Sequence, residues 1–515
     1  MTFDSRRSLS FSGGRLKLPT ALLWFLVPLA GFGVFVSLVP QLPNDFWWHL
    51  KIGEFIYTTR TVPTTNMFAW TLPADVPFFY GAWLGQLLLY VLYRWGGVAL
   101  LLFARSVMAI TAFALVGIEA KRQSSSWRLA ALALVCVCLM TLNNLIVRPQ
   151  NWSWLPFILY ILLLYRYADG VLRGRWLLLC PLLMIFWVNA HGAFVLGLVL
   201  LGAFAVGEAL RVLLKQDGAR SWQEVGWLAA VGGLTGLATF VNPRFVGIVK
   251  YVMGLMTDPS SQKLIVEWQS PTPSGIANIV FYVSILILIL VLAYSRYRLT
   301  PTEAMLLVGF LWLAWNGQRY VVWFGMAIMP LLARALQKVP LRLLEFAPQR
   351  NILNLVLAVL LFVPFVLVQP WSVEAMPLPD KYWAEVWRDV PEGPLLDTAT
   401  PLEAARYLKV HPGGNLFNEM GYGSYLIWVL PEQGVFIDPR VELYPYEQWL
   451  DYGNIVRGTR SLELLAAYKV DRVLLDRESQ EELLYVLEDS PDWCREYADE
   501  YAQIWAKVST RFCEH

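Results

Sequence analysis

Charge is scarce in this sequence. Only 16% of the 515 residues are Asp, Glu, Lys or Arg, and 57% are hydrophobic. An ordinary soluble domain carries roughly 25% charged residues, so a soluble enzyme is excluded. The formal net charge is only +2, which excludes nucleic-acid binding driven by bulk electrostatics. Four histidines and five cysteines are too few for a metal-cluster protein or a disulfide scaffold. Neither an internal repeat nor a low-complexity segment is present, so fibrous architectures fall away. What is abundant is aromatic: 24 Trp and 23 Tyr are incompatible with a disordered chain.

The hydrophobic residues come in long runs. A helix needs about 20 apolar residues to cross the roughly 30 Å hydrocarbon core of a bilayer. Eleven runs meet that need: 20–40, 97–118, 128–146, 152–168, 175–190, 193–212, 223–241, 276–295, 301–316, 320–336 and 351–369. The stretch 175–212 would be about 57 Å long as one helix, and Asn189-Ala190-His191-Gly192 interrupts it, so it reads as a hairpin of two spans. The shorter stretch 82–95 ends at Gly96-Gly97 and reads as an interfacial or re-entrant helix.

Charge placement sets an orientation. With these spans, alternate gaps collect Lys and Arg: Arg6, Arg7, Arg15 and Lys17; Lys121, Arg122 and Arg128; Arg166, Arg173 and Arg175; Arg211, Lys215 and Arg220; Arg296 and Arg298; Arg334, Lys338, Arg342 and Arg350. That is nineteen, against eight in the opposite and longer gaps (Lys51, Arg60, Arg94, Arg148, Arg244, Lys250, Lys263, Arg319). The positive-inside rule then puts the N-terminus in the cytoplasm and the C-terminal segment outside. Counting 82–95 as a span would invert every later loop. Ser5-Arg6-Arg7 has the look of a twin-arginine signal, but flanking charges of a retained first span account for it.

The expected fold is therefore a polytopic α-helical membrane protein of about eleven spans in a cytoplasmic or inner cell membrane, with a small extracytoplasmic α/β domain. Residues 1–19 form a cytoplasmic tail. Residues 20–370 form the membrane domain, including a first external loop at 41–96. Residues 371–515 form the external domain, after a boundary rich in proline. Within that domain Thr400-Pro401 opens a helix. Strands are expected at 415–418, 434–438, 471–475, 493–497 and 501–507, and helices at 424–430, 461–468 and 479–489. Trp371, Trp383 and Trp387 read as interfacial anchors. Cys136 and Cys138 read as inert packing. Cys494 and Cys513 share a compartment where oxidation is possible.

Within the spans Arg105 is the main ionisable residue, which weighs against an ion-coupled transporter. Polar residues gather at the outer ends instead. In Asn44-Asp45-Phe46-Trp47-Trp48-His49-Leu50-Lys51, a helix would place Asp45 and His49 on one face with Trp48 beside them. Glu54 would face elsewhere. An acid beside a histidine suits a general base, a metal ligand or an acceptor clamp; a salt-bridged interfacial helix is the bland alternative. Arg148, His191, Arg244, Glu267 and Arg319 fall on the same side of the membrane. Arginines there suit an anionic phosphate, although each sits in an ordinary connector.

The first-loop run, followed by Thr61-Val62-Pro63, resembles the GT-C superfamily of membrane glycosyltransferases, and locally the Asp-x-Trp-x-His run of archaeal and STT3-type oligosaccharyltransferases. Asn418-Glu419-Met420-Gly421-Tyr422-Gly423-Ser424-Tyr425-Leu426-Ile427-Trp428 and Phe436-Ile437-Asp438-Pro439-Arg440 are similar to that family's external domain. Asn418-Glu419-Met420 replaces its Trp-Trp-Asp, so sequon reading is not implied. The resemblance implies an inverting enzyme that passes a sugar from a polyprenyl-phosphate donor to a glycan, lipid or protein acceptor on the extracytoplasmic face. It implies Asp45 as base, and His49 as its orienter, an acceptor contact or a metal ligand. One or more of Arg148, Arg244 and Arg319 would hold the departing lipid phosphate. Glu419, Tyr422, Asp438 and Arg440 form either an acceptor-facing rim or ordinary turn and salt-bridge contacts. A divalent cation (Mg or Mn) is left open, with Asp45 and His49 its candidate ligands. The other readings are a non-catalytic binding or assembly protein on the same scaffold, and a lipid or polymer transporter.

Overall fold

The computed structural model describes residues 17–339, 350–375 and 395–513. The expectations placed on Arg6, Arg7, Arg15, Arg342, Trp383 and Trp387 lie outside the described residues.

Helices dominate. α1 (Thr20–Leu38), α2 (Phe46–Thr59), α3 (Trp83–Ser124), α4 (Trp127–Met140), α5 (Trp154–Ala168), α6 (Leu179–Ala190), α7 (Val195–Leu213) and α8 (Trp222–Ala238) are followed by the short α9 (Gly247–Thr257) and α10 (Pro259–Leu264). Then come α11 (Ile276–Tyr294), α12 (Pro301–Asn316), α13 (Val321–Leu336) and α14 (Ile352–Leu367). A helix stands at each of the eleven expected spans. Among the described residues, five helical stretches are long and apolar enough to cross a membrane. Pro28, Pro330 and Pro364 sit inside helices, as membrane helices tolerate when neighbours cover the freed backbone groups. Ser221 with Glu224, and Thr300 with Glu303, form capping boxes that start α8 and α12.

The stretch 82–95 ends at a kink, where Gly96 and Gly97 leave helical geometry and the next helical segment begins. The two form α3, bent where Gly97 adopts φ +60°, a backbone state that only glycine takes without a steric penalty. Arg105 is fully buried and donates to the Val36 and Val39 carbonyls, closing the end of α1. It is not the main ionisable group of the bundle, contrary to the sequence reading. Glu119, Glu208 and Glu303 are also buried in the helices, each satisfied by an arginine: Arg122 at 2.5 Å, Arg211 at 2.9 Å and Arg334 at 3.1 Å. Pairing is what makes such burial tolerable.

The tail holds a four-stranded sheet. β1 and β2 are the two-residue strands Leu18–Pro19 and Arg350–Asn351, paired with each other beside α1 and α14. The tail sheet runs β3 (Leu416–Asn418), β4 (Arg472–Asp476), β6 (Ala502–Lys507), β5 (Trp493–Ala498). β3 and β4 are parallel and the other pairs antiparallel. The helices expected at 461–468 and 479–489 form, the one expected at 424–430 starts earlier (Met420–Val429), and an unexpected one spans Tyr446–Val456. The expected strand 434–438 does not join the sheet. Val435 pairs with Ala69 of the first loop, accepting from Trp70 N–H and donating to Phe68. Cys494 and Cys513 are joined in a disulfide, and Cys136, Cys138 and Cys180 are free.

Two apolar cores result. One fills the helical bundle. The other is shared by the first loop (Phe46, Trp47, Phe68, Phe78) and the tail (Phe417, Leu426, Phe436, Ile504). The tail is thereby seated on the loop that carries Asp45.

Candidate active site

Asp45 is the residue before α2, and its carboxylate is partly open to solvent. α2 is fixed from the tail side: Trp48 N–H donates to Ser424 Oγ at 3.2 Å, and Trp47 packs edge-on to Tyr425 at 5.1 Å. Asn44 approaches Gly421, at the start of the tail helix Met420–Val429.

Arg148 comes from the connector between α4 and α5. Its guanidinium reaches Asp45 Oδ2 at 3.7 Å and Glu267 Oε1 at 2.9 Å. Asn144 accepts a further N–H at 3.3 Å, and Gln150 donates to the same Asn144 oxygen. The loop that bears Glu267 is tied to the connector between α12 and α13: Gln318 N–H donates to Gln269 O at 2.9 Å, and the Gln318 amide to Val266 O at 2.7 Å. Arg319 then lies over the Trp268 ring at 4.7 Å, a favourable cation–π contact. Among the described residues no carboxylate pairs with Arg319.

The two histidines are anchored from behind. His49 Nδ1 lies 2.9 Å from the Gln86 amide nitrogen, and the ring stacks on Trp48 at 3.7 Å. His191 Nδ1 accepts from Ala193 N–H at 3.2 Å and lies 3.0 Å from Ser153 Oγ. Ser153 in turn accepts from Trp187 Nε1–H at 2.8 Å. Around this turn Trp83 donates to Asn189 at 2.7 Å.

Burial raises the Asp45 carboxyl above its usual range; Arg148 pulls it down, and Glu267 pushes it up. Burial holds His49 well below the usual histidine value, with His191 and Arg148 acting in the same direction. His191 is pushed down to about 3 by burial, then by Arg319 and Arg148. Both imidazoles are thus neutral at physiological pH. These mutual effects mark one polar cluster of Asp45, His49, Arg148, His191, Glu267 and Arg319, gathered from five segments of the chain.

Other expected members stand apart. Arg244 is exposed, over the Phe79 ring at 5.7 Å. Glu54 pairs with Lys51 at 2.8 Å. Asp438 and Arg440 do not form a rim. They are fully buried in a two-pronged ion pair, with Tyr444 donating to Asp438 and Arg440 donating to Tyr80 Oη at 3.2 Å. Arg440 also sits between the Phe68 and Phe78 rings. Their proline-spaced sequence looked like a turn; the tertiary fold makes it the clamp between tail and loop. Glu419 caps the helix Met420–Val429 by accepting from Tyr422 N–H at 2.8 Å, and the Tyr422 hydroxyl donates to Asp476 at 2.7 Å.

Sequence reading missed Gln86, Ser153 and Glu442. The first two lie in apolar runs with no local signal. Glu442 follows the clamp, and burial, Asp45 and Asp258 push its carboxyl up to about 7. The Glu442 side chain is exposed to solvent at its surface. The candidate metal ligands Asp45 and His49 are each engaged by protein groups. Arg148 fills the space between the two nearest carboxylates, and His49 Nδ1 is taken by Gln86. Among the described residues no three acidic, His or Cys side chains group as metal ligands.

No family model and no curated protein matches the chain. Solved structures do. The chain is similar to the arabinofuranosyltransferase AftD from Mycobacteria, with a TM-score of 0.54 and 14% identity over 94% of this chain and 40% of that one. It therefore spans well under half of AftD. The archaeal oligosaccharyltransferase AglB from Archaeoglobus fulgidus, in complex with an inhibitory peptide and a dolichol-phosphate, gives a TM-score of 0.49 and 12% identity over 96% of this chain and 74% of that one. The apo oligosaccharyltransferase from the same organism gives 0.48 and 12%, over 88% and 70%. The likeness to AftD is one of fold.

Proposed function

We propose that the protein is an inverting membrane glycosyltransferase that takes a sugar from a polyprenyl-phosphate donor and passes it to a glycan, lipid or protein acceptor on the extracytoplasmic face. The observation that carries this reading is the junction of Asp45, Arg148 and Glu267, drawn from three separate connectors and flanked by neutral histidines and Arg319.

In this reading the acceptor hydroxyl attacks the anomeric carbon as the bond from that carbon to the phosphate oxygen breaks. Asp45 takes the hydroxyl proton. The phosphate leaves with the bonding electrons and with the lipid chain. Arg319, which lacks a carboxylate partner among the described residues, stabilises it. Arg148 is engaged by two carboxylates, so its role is to aim Asp45. Arg244 would also meet the phosphate. The seat of the tail on α2 makes acceptor binding a joint property of first loop and tail. The scheme asks nothing of a metal.

Sidedness rests on two supports. Nineteen basic residues against eight favour an internal N-terminus, and the Cys494–Cys513 disulfide favours an oxidising compartment for the tail. Eleven spans, with N-terminus in and C-terminus out, satisfy both.

The test is turnover of a panel of polyprenyl-phosphate sugars by purified protein. The name of AftD recommends including a pentofuranose. Asp45→Asn is expected to lose transfer while remaining folded. Full activity in that variant removes Asp45 as base. Tight prenyl-phosphate binding without turnover of any sugar by the wild type favours the non-catalytic scaffold.

A further inference from the structure

We infer that His191 is a fixed Nε2–H donor to a phosphoryl oxygen, with Ser153 and Trp187 as positioning residues that lock its tautomer. This deepens the transferase reading and rests on it for the ligand class.

The argument starts from a backbone amide, which can only donate. Ala193 N–H points to His191 Nδ1 at 3.2 Å, so that nitrogen presents its lone pair and the ring proton resides on Nε2. Ser153 reinforces the assignment. Its oxygen accepts from Trp187 Nε1–H at 2.8 Å, which leaves its own hydroxyl proton for His191 Nδ1 at 3.0 Å. Ser153 is fully buried, as is Trp187, so water does not compete for either bond. The indole N–H can only donate, so Ser153 accepts from Trp187; with Nδ1 already fixed as an acceptor by Ala193 N–H, the Ser153 hydroxyl is the donor of the second bond.

A neutral imidazole held this way does not shuttle protons. It offers one N–H beside two cations, Arg319 and Arg148, and beside the neutral His49. Burial and those arginines keep the ring from protonating, down to about pH 3. Glu267 and Asp45 already occupy Arg148. Among the described residues Arg319 pairs with no carboxylate, and an N–H within its electrostatic reach suits an anion that needs a directional hydrogen bond. A phosphoryl oxygen meets that description, whether it belongs to a prenyl phosphate or to a soluble phosphate.

The full-length protein in nanodiscs, labelled with 15N-histidine, tests the tautomer without substrate; His191→Gln identifies the resonance. The expected signature is a neutral ring with Nε2–H, unchanged from pH 5 to 8. Protonation with a midpoint near the ordinary value of about 6.5, or an Nδ1–H ring, overturns the inference. Binding of undecaprenyl phosphate and of inorganic phosphate tests the ligand. His191→Gln, whose amide can replace Nε2–H, is expected to bind within about 3-fold of wild type. His191→Ala and His191→Asn are expected to lose roughly 10-fold or more. Ser153→Ala is expected to lose about 3- to 10-fold and to mix the tautomers, and Ser153→Thr to restore both. Unchanged prenyl-phosphate affinity in His191→Ala, or no phosphate binding by the wild type, overturns the inference. Equal affinity for inorganic phosphate upholds the donor role but removes the lipid carrier from the transferase reading. Full activity of Asp45→Asn sinks the catalytic base and leaves all these readouts standing.

Discussion

Arg148 stands between two carboxylates, 2.9 Å from Glu267 and 3.7 Å from Asp45. It holds a loop far along the chain against the start of α2. Removing one partner of a buried ion pair typically costs about 3–5 kcal/mol, and here both acids keep some contact with solvent. Arg148→Ala is expected to cost roughly 3 kcal/mol and to abolish transfer. Arg148→Lys should recover more stability than activity, since a point charge cannot span both acids as a planar fork does. Unfolding of detergent-solubilised protein and turnover, measured on the same samples, separate the two effects.

The pH profile follows from the same group. Asp45 must be ionised to accept a proton, and burial raises its carboxyl above the usual 3.8 while Arg148 opposes the rise. The acid limb of kcat is expected above ordinary aspartate titration. In Arg148→Gln any residual activity should show that limb moved to still higher pH. A limb that stays in place would assign it to another group.

Glu442 ties stability to pH. Its carboxyl is raised in the folded protein from the usual 4.5 to about 7. The folded state therefore binds this proton more tightly than the unfolded chain. The associated stability is full below about pH 4.5 and is lost as pH rises to about 7. Glu442→Gln is expected to flatten the dependence of the unfolding midpoint on pH across that window. An unchanged slope would place the proton elsewhere.

Asp438 and Arg440 clamp the tail to the first loop through Tyr80, Phe68 and Phe78. Arg440→Ala leaves Asp438 buried without its cation, at a cost of about 3–5 kcal/mol. Limited proteolysis should then cut between tail and loop while the helical bundle survives. The double change Asp438→Asn with Arg440→Met should be milder than the single one, because no buried charge is left unpaired.

The disulfide gives a chemical check on sidedness. Without reductant, alkylation should modify Cys136, Cys138 and Cys180 after unfolding and spare Cys494 and Cys513. Cys494→Ser is expected to destabilise the tail by about 2–4 kcal/mol. A tag after the C-terminus should be reached by impermeant reagents on intact cells. Labelling only after lysis would reverse the proposed orientation.

Hydropathy is a local property, so the sequence by itself determined the helices of the bundle, the helix break at Asn189–Gly192 and most of the tail sheet. It also identified Asp45, His49, Arg148, His191, Glu267 and Arg319, because polar residues at the ends of apolar runs are conspicuous. It did not disclose Gln86 or Ser153, which lie inside such runs and look like packing. It left Asp438 and Arg440 open between an acceptor-facing rim and turn or salt-bridge contacts; the structure shows the salt bridge, fully buried. Only the tertiary structure decided which ends of which helices meet. Joining Asp45 to Arg148, and Arg148 to Glu267, depends on two contacts that each span more than a hundred positions, set by how helices pack and how the tail covers α2. The tautomer of His191 is likewise a tertiary fact: a backbone amide and a buried serine choose it, and neither choice is written in the residues around it.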